Sequence, residues 1–101
     1  MTYRVELIPR AVRELEALPQ PIQKRIVRYL DQLAQTPRPP GCKNLQGTDE
    51  LYRIHAGRDD VIVYQIEDDR VLVLILRVAN RKEVDRNIPS RVQLRRPDPP
   101  T

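Results

Sequence analysis

Hydrophobic residues change their spacing several times along the chain, and each change predicts a different structural element. Residues 3–8 alternate between apolar and polar side chains, which predicts a half-buried strand. Residues 9–18 and 21–35 then carry apolar side chains at helical spacing, with proline placed for the first turn of each helix. Because the break between the two helices is so short, we expect them to form an antiparallel hairpin.

The second half of the chain reads as strands separated by polar turns. Residues 51–56, 61–66 and 71–78 are rich in Val, Ile and Leu. The last of these runs is apolar on both faces, which is typical of a strand inside a sheet. Short turns between consecutive strands predict antiparallel pairing. The sequence therefore predicts an α+β fold of order β-α-α-β-β-β, an antiparallel sheet with the N-terminal helical hairpin packed on one face.

The C-terminal segment departs from this pattern. Residues 79–86 are mostly polar and could form a turn or two of helix, and residues 89–101 are rich in proline and charge. We expect one domain over residues 1–88, followed by a flexible proline-rich tail over residues 89–101.

Composition narrows the possible functions. Eighteen Lys and Arg against fourteen Asp and Glu give a net charge of +4, which favours an anionic partner. One His and one Cys argue against the usual protein ligand sets for a metal, and three Gly argue against a phosphate-cradling loop, so no cofactor is expected. No apolar run has the length of a membrane span, and the charged N-terminus does not resemble a signal peptide. We therefore expect a cytoplasmic protein that does not engage a membrane.

The remaining candidate chemistry is a set of basic side chains. Arg53 and His55 are two residues apart in a predicted strand and should share one face, opposite the core face. Arg81 follows the last strand, whose end can approach the strand of Arg53 in a meander. Two readings stay open at this point: a positive patch for an anionic ligand, or an ordinary solvated strand face. The patch would also include Lys43, Lys82 and Arg86.

Four segments resemble the RelE/ParE superfamily of toxins from type II toxin–antitoxin systems. They are KNLQG at 43–47, LYRIH at 51–55, VIVYQI at 61–66 and LILRVANRKEV at 74–84. The resemblance extends over about residues 3–87 and implies the RelE-like fold. The RelE branch, which we favour, implies a metal-independent endoribonuclease that cuts messenger RNA on the ribosome and so inhibits translation.

The resemblance also implies roles for individual residues. In such cleavage the RNA 2′-hydroxyl attacks the adjacent phosphate, so the protein supplies a proton acceptor and positive charge rather than a nucleophile. His55 would accept the proton, because histidine exchanges protons readily near neutral pH. Arg53 and Arg81 would hold the phosphate oxygens. The RNA-binding side chains would be Lys43, Arg58, Lys82 and Arg86.

Two positions depart from the family pattern and keep other functions open. Many relatives carry Arg where this chain has Val61, and RelE-type enzymes often carry Tyr where it has Asp85. Both departures favour a ParE-type toxin that shares the fold and blocks DNA gyrase by binding. A catalytically degenerate member, acting mainly through its antitoxin and DNA, is the third possibility.

Every one of these readings implies a protein partner. Toxins of this superfamily are held by a cognate antitoxin, and the basic charge here predicts an acidic, partly disordered one that folds on binding. The further partners would be the ribosome and messenger RNA, or DNA gyrase in the alternative.

Overall fold

The computed structural model describes residues 2–45 and 50–80. Its elements follow the predicted order, with one additional short strand between the second helix and the strand of Arg53. They are β1 (Arg4–Leu7), α1 (Pro9–Glu16), α2 (Gln20–Gln35), β2 (Lys43–Asn44), β3 (Leu51–His55), β4 (Asp60–Glu67), a 3-10 turn (Asp68–Arg70) and β5 (Leu72–Asn80).

The five strands form one mixed sheet in the order β1-β5-β4-β3-β2. Strands β2 to β5 pair antiparallel, as expected from the polar turns that join β3 to β4 and β4 to β5. Strand β1 instead runs parallel to β5, with Arg4 beside Leu72 and Leu7 beside Ile75. The expectation of an all-antiparallel sheet was therefore wrong at this edge. Short turns fix only the strands they join, whereas the helical hairpin separates β1 from all other strands.

Proline lies at the start of both helices and helps to separate them. Pro9 opens α1, and Pro19 precedes α2, whose first turn also contains a proline. The side-chain amide of Gln23 donates to the carbonyl oxygens of Glu16 and Leu18, at 3.2 and 3.0 Å. These bonds satisfy carbonyl groups at the end of α1 and in the turn that follows it, so the hairpin turn is tied to the second helix.

The main core lies between the helical hairpin and one face of the sheet. It contains Ala11 of α1, Ile26, Leu30 and Leu33 of α2, and the inward side chains of β3 to β5. Tyr64 lies in this core with none of its surface exposed, and its hydroxyl donates to the carbonyl oxygen of Pro37 at 2.9 Å. Burial raises the pKa of Tyr64 well above its ordinary value, which keeps the hydroxyl protonated as a donor.

A second, smaller cluster lies on the other face of the sheet. Its buried members come from β3, β4 and β5. Together the two clusters explain why β4 and β5 are apolar on both faces. The members of the second cluster are Leu51, Val61, Val63, Leu76 and Ala79, with Ile8, Leu45 and Leu74 partly buried against them.

The boundary expected near residue 88 and the tail over 89–101 lie outside the described residues. Of the polar segment that begins at Ala79, the structure describes only Ala79 and Asn80, which complete β5 rather than begin a helix. Within the described part of the chain, no helix has the length and apolar character needed to cross a membrane.

Candidate functional site

The candidate site lies on the face of the sheet opposite the helical hairpin. Arg53 pairs in register with Val63, and His55 pairs with Val61, and both valines belong to the second cluster. Ile54, which lies between Arg53 and His55, belongs to the main core. The alternation along β3 thus places Arg53 and His55 together on the face away from the helices.

Lys43 joins them through a strand that the sequence did not predict. The short β2 pairs antiparallel with β3 and sets Lys43 directly opposite Arg53. Lys43 and His55 are exposed, and Arg53 is half-buried. Two cations set opposite each other on one face of a sheet attract an anion that can contact both of them, so the arrangement suits a phosphate group.

The turn that carries Arg58 is fixed by α2. Gly57 has a φ of +130°, and a Cβ added there would lie 2.6 Å from Nη1 of Arg25. The same Nη1 lies 3.9 Å from Oδ2 of Asp60, which is almost buried at the start of β4. The Ala56 N–H donates to the carbonyl oxygen of Asp60 across the turn, at 2.8 Å. Arg58 is thus an exposed side chain on a turn that α2 holds from behind.

The end of β5 lies at the same end of the sheet as His55. Val61 pairs with His55 on one side and with Ala79 on the other, so His55 and Ala79 are two strand spacings apart, about 10 Å. Asn80 pairs with Asp60 at the end of this row. This brings the end of the last strand near the strand of Arg53, as the meander predicts.

Three of the predicted site residues, Arg81, Lys82 and Arg86, lie outside the described residues, as does Asp85. The structure therefore brings together Lys43, Arg53 and His55, with Arg58 on the adjoining turn. Val61, the first departure from the family pattern, is fully buried in the second cluster. A long cationic side chain at that position would have to leave the cluster.

Two acid–base pairs that tie the helices to this end of the sheet were not predicted. Arg25 contacts Asp60, and Glu14 of α1 accepts from Nε of Arg77 at 2.9 Å. Local spacing carries no information about these contacts, since the partners are far apart in the sequence. A weak signal exists for Arg77, because a cation inside an apolar strand requires a partner.

The opposite end of the sheet has a different character. Nη1 and Nη2 of Arg38 donate to the two carboxylate oxygens of Asp68 at 3.3 and 2.9 Å. The Tyr3 hydroxyl also donates to Asp68, at 2.7 Å. The hydrogen bonds from Arg38 and Tyr3 hold the pKa of Asp68 below its ordinary value.

An open cavity of about 400 Å³ lies beside this network. Most of its polar lining is acidic, so it would repel a phosphate backbone, and we do not assign it to the site of Arg53 and His55. Its lining residues are Arg38, Glu50, Gln65, Ile66, Glu67, Asp68 and Asp69. Over residues 2–45 and 50–80, no group of three or more His, Cys, Asp or Glu is placed to hold a metal ion.

Comparisons with known proteins agree on one superfamily of toxins. The family model of the ParE toxin of type II toxin–antitoxin systems matches residues 5–85. A RelE1 toxin candidate of Methanocaldococcus jannaschii is 31% identical over 86 residues, which cover 82% of this chain and 93% of that protein.

Solved structures show the same relationship. The RelE–RelB complex of Pyrococcus horikoshii contains a chain that is 30% identical, with a TM-score of 0.71, over 80% of this chain and 97% of that chain. The toxin–antitoxin complex RelBE2 of Mycobacterium tuberculosis contains one that is 26% identical, with a TM-score of 0.70, over 80% and 93%.

Proposed function

The chain belongs to the RelE/ParE superfamily of toxins from type II toxin–antitoxin systems, and we propose that it acts by cleaving messenger RNA on the ribosome without a metal. The observation that carries this proposal is the row of basic side chains on the face away from the helices. Lys43 stands opposite Arg53, and His55 is on the same face of β3. RelE proteins among the relatives favour the ribonuclease branch.

The proposed reaction needs little from the protein beyond charge and a proton acceptor. The RNA 2′-oxygen forms a bond to the adjacent phosphorus, and the bond from phosphorus to the 5′-oxygen breaks. His55 takes the proton of the 2′-hydroxyl, and a second donor protonates the leaving 5′-oxygen. Arg53 and Lys43 balance the negative charge that grows on the phosphate oxygens. Arg81 is a further candidate for balancing the charge on the phosphate oxygens.

A DNA gyrase inhibitor is the second candidate, and two observations favour it. Val61, at the position where the family resemblance implies Arg, is fully buried. The matching family model is that of ParE toxins. Losing one preorganised charge donor typically costs on the order of 10²–10³ in rate. A chain without that arginine could retain the fold and bind a protein target instead.

We propose an acidic antitoxin as the partner that keeps this toxin inactive. The relatives from Pyrococcus horikoshii and Mycobacterium tuberculosis are in complexes with antitoxins, and the net charge of +4 favours an acidic partner here. Co-expression with the product of the adjacent reading frame should yield a complex that dissociates as salt concentration rises.

The test is induced expression without antitoxin, followed by mapping of new 5′ ends in cellular transcripts. Wild type should arrest growth and produce new cuts within translated messages, and an Arg53→Ala/His55→Ala protein should lose both effects. Arg70→Ala is the matched control, because Arg70 is an exposed arginine at the opposite end of the sheet that pairs with Glu67. Arrest with intact transcripts would favour the gyrase target and contradict the ribonuclease.

A further inference from the structure

One edge of β5 changes its neighbour halfway along the strand. Its first half, Leu72–Ile75, pairs with β1, and the Ile8 N–H donates to the Ile75 carbonyl oxygen at 3.1 Å, just beyond the last pair. Beyond Ile75, a side chain of α1 contacts this edge instead of a strand. The Val78 N–H donates to Oε1 of Glu14 at 2.9 Å. Glu14 therefore acts as the hydrogen-bond acceptor that a neighbouring strand would otherwise supply.

The other oxygen of the same carboxylate holds a buried cation. Nε of Arg77 donates to Oε2 of Glu14 at 2.9 Å, and the Arg77 side chain is only 5% exposed. Nε of Arg10, an exposed side chain one helical turn earlier, lies 3.6 Å from the same oxygen. A buried guanidinium requires a paired carboxylate. Removing Glu14 would leave both a strand amide and a buried charge without their acceptor.

This contact lies at the same end of the sheet as His55, on the strand two places away from β3. Val78 precedes Ala79, which is in the row of Val61 and His55, and Asn80 ends the described part of the strand. Glu14 contacts the strand from α1, and its partners are Arg10, Arg77 and the Val78 amide. It is therefore placed to fix the strand end without contacting RNA.

We infer that Glu14 is a positioning residue, which closes the open edge of β5 and so sets the geometry of the RNA-cleaving end of the sheet. The inference rests on the proposed ribonuclease function. A misplacement of about 1 Å caused far from the chemistry can cost on the order of 100-fold in rate. Loss of Glu14 should consequently slow the cleavage step more than it weakens substrate binding.

Three variants separate the two roles of the carboxylate. Glu14→Ala removes both. Glu14→Gln keeps a carbonyl oxygen for the Val78 amide but removes the charge that faces Arg77. Glu14→Gln/Arg77→Met keeps that acceptor and also removes the buried cation, so it should restore the strand end without an unpaired charge.

Two controls address helix and stability effects. Glu16→Ala removes an exposed carboxylate from the same helix. Leu33→Ala removes a buried side chain of α2 from the main core, which lowers stability without touching β5's open edge. All proteins are compared at a temperature at which circular dichroism shows each of them to be folded.

The experiment measures cleavage of ribosome-bound messenger RNA and hydrogen exchange of backbone amides by NMR. For Glu14→Ala we expect a cleavage rate at saturating toxin about 10- to 100-fold lower, with an unchanged half-saturating concentration and faster exchange of the Val78 amide. Glu14→Gln should recover protection of that amide, and Glu14→Gln/Arg77→Met should recover most of the rate. Glu16→Ala and Leu33→Ala should cleave at the wild-type rate.

Two results would overturn the inference alone: wild-type cleavage that Glu14→Ala leaves unchanged, or an equal loss in Leu33→Ala, which would reduce the effect to stability. A wild-type protein that does not cleave would overturn the ribonuclease proposal and this inference with it. The wild-type measurement therefore distinguishes the two failures.

Discussion

The two ends of the sheet differ in how their charged side chains are arranged. At the end where β4 turns into β5, acids and bases satisfy one another: Arg38 and Tyr3 both donate to Asp68, and Arg70 pairs with Glu67 at 3.1 Å. At the other end, two cations are set directly opposite each other in the register of β2 and β3.

This difference indicates which charged side chains stabilise the fold through ion pairs. The bonds of Asp68 with Arg38 and Tyr3 connect segments distant in sequence, so they contribute to holding the chain together. At the basic end, two ion pairs connect the helices to the sheet. Glu14 of α1 pairs with Arg77, and Arg25 of α2 pairs with Asp60. Lys43 and Arg53 are set opposite each other on the face away from the helices, and that register suits an anion that contacts both side chains.

Of the effects that compare the two ends of the sheet, the largest follows from reversing one of these charges. Lys43→Glu would place a carboxylate opposite Arg53, in a register that allows a pair of opposite charges. We expect the free energy of unfolding to rise slightly, by about 0.2–1 kcal/mol, in urea titrations. The toxin concentration needed for half-maximal RNA cleavage should nevertheless rise about tenfold or more, because a phosphate contact becomes a repulsion.

Lys43→Glu should raise stability but weaken RNA cleavage, so a loss of cleavage could not be attributed to unfolding. Arg70→Glu, at the other end of the sheet, should leave RNA cleavage unchanged while it removes the pair with Glu67. Equal losses of cleavage in Lys43→Glu and Arg70→Glu would show that net charge, rather than the basic row, governs the interaction.

A smaller effect should distinguish two glycines with positive φ. Gly41, in the loop that carries Arg38, has a φ of +94° and open space where an alanine methyl group would lie, whereas Gly57 has a φ of +130° and Arg25 beside it. Each substitution by Ala should cost about 1–3 kcal/mol in backbone strain, measured by urea unfolding. Gly57→Ala should cost more, because it also displaces Arg25 from Asp60.

The additional loss of stability in Gly57→Ala, relative to Gly41→Ala, should disappear in an Arg25→Ala background, because no guanidinium then occupies that space. An unchanged difference between the two glycines there would mean that backbone conformation alone accounts for it. The contact of Arg25 with the turn would then have no part in holding Arg58.

The smallest predicted effect concerns the acidic end and depends on pH. The pKa of Asp68 is lowered in the folded chain, chiefly by the hydrogen bonds from Arg38. Its contribution to stability is therefore present above its unfolded pKa of about 3.9 and is lost as pH falls through the lower, folded value. Asp68→Asn should be less stable than wild type near neutral pH, and the difference should shrink below about pH 4. A difference that stays constant from neutral to acidic pH in thermal melts would contradict this role.

Much of the fold could be predicted because its signals are local. Apolar spacing gives both helices and the strands β3, β4 and β5, and the apolar run of β5 indicates neighbours on both sides. The parallel pairing of β1 with β5 has no such signal, since it depends on where the helical hairpin delivers the chain. Strand β2 was missed because two polar residues, Lys43 and Asn44, carry no alternation that could be recognised.

The candidate site was predictable to a similar degree. Alternation along β3 is enough to place Arg53 and His55 on one face, and the structure adds Lys43 through its register with Arg53. Glu14 could not be found from spacing, because it meets Arg77 and Val78 only through the packing of α1 on β5. The roles of Arg81, Lys82 and Arg86 stay predictions.

The most direct test of the basic row is a single-turnover assay with purified toxin, ribosomes and messenger RNA held in the decoding site, run beside a gyrase supercoiling assay. Wild type should cleave the RNA and leave supercoiling unaffected, His55→Ala and Arg53→Ala should each lose about 10²-fold or more in rate, and Arg70→Ala should match wild type. Intact RNA together with inhibited supercoiling by the wild-type protein would contradict the account.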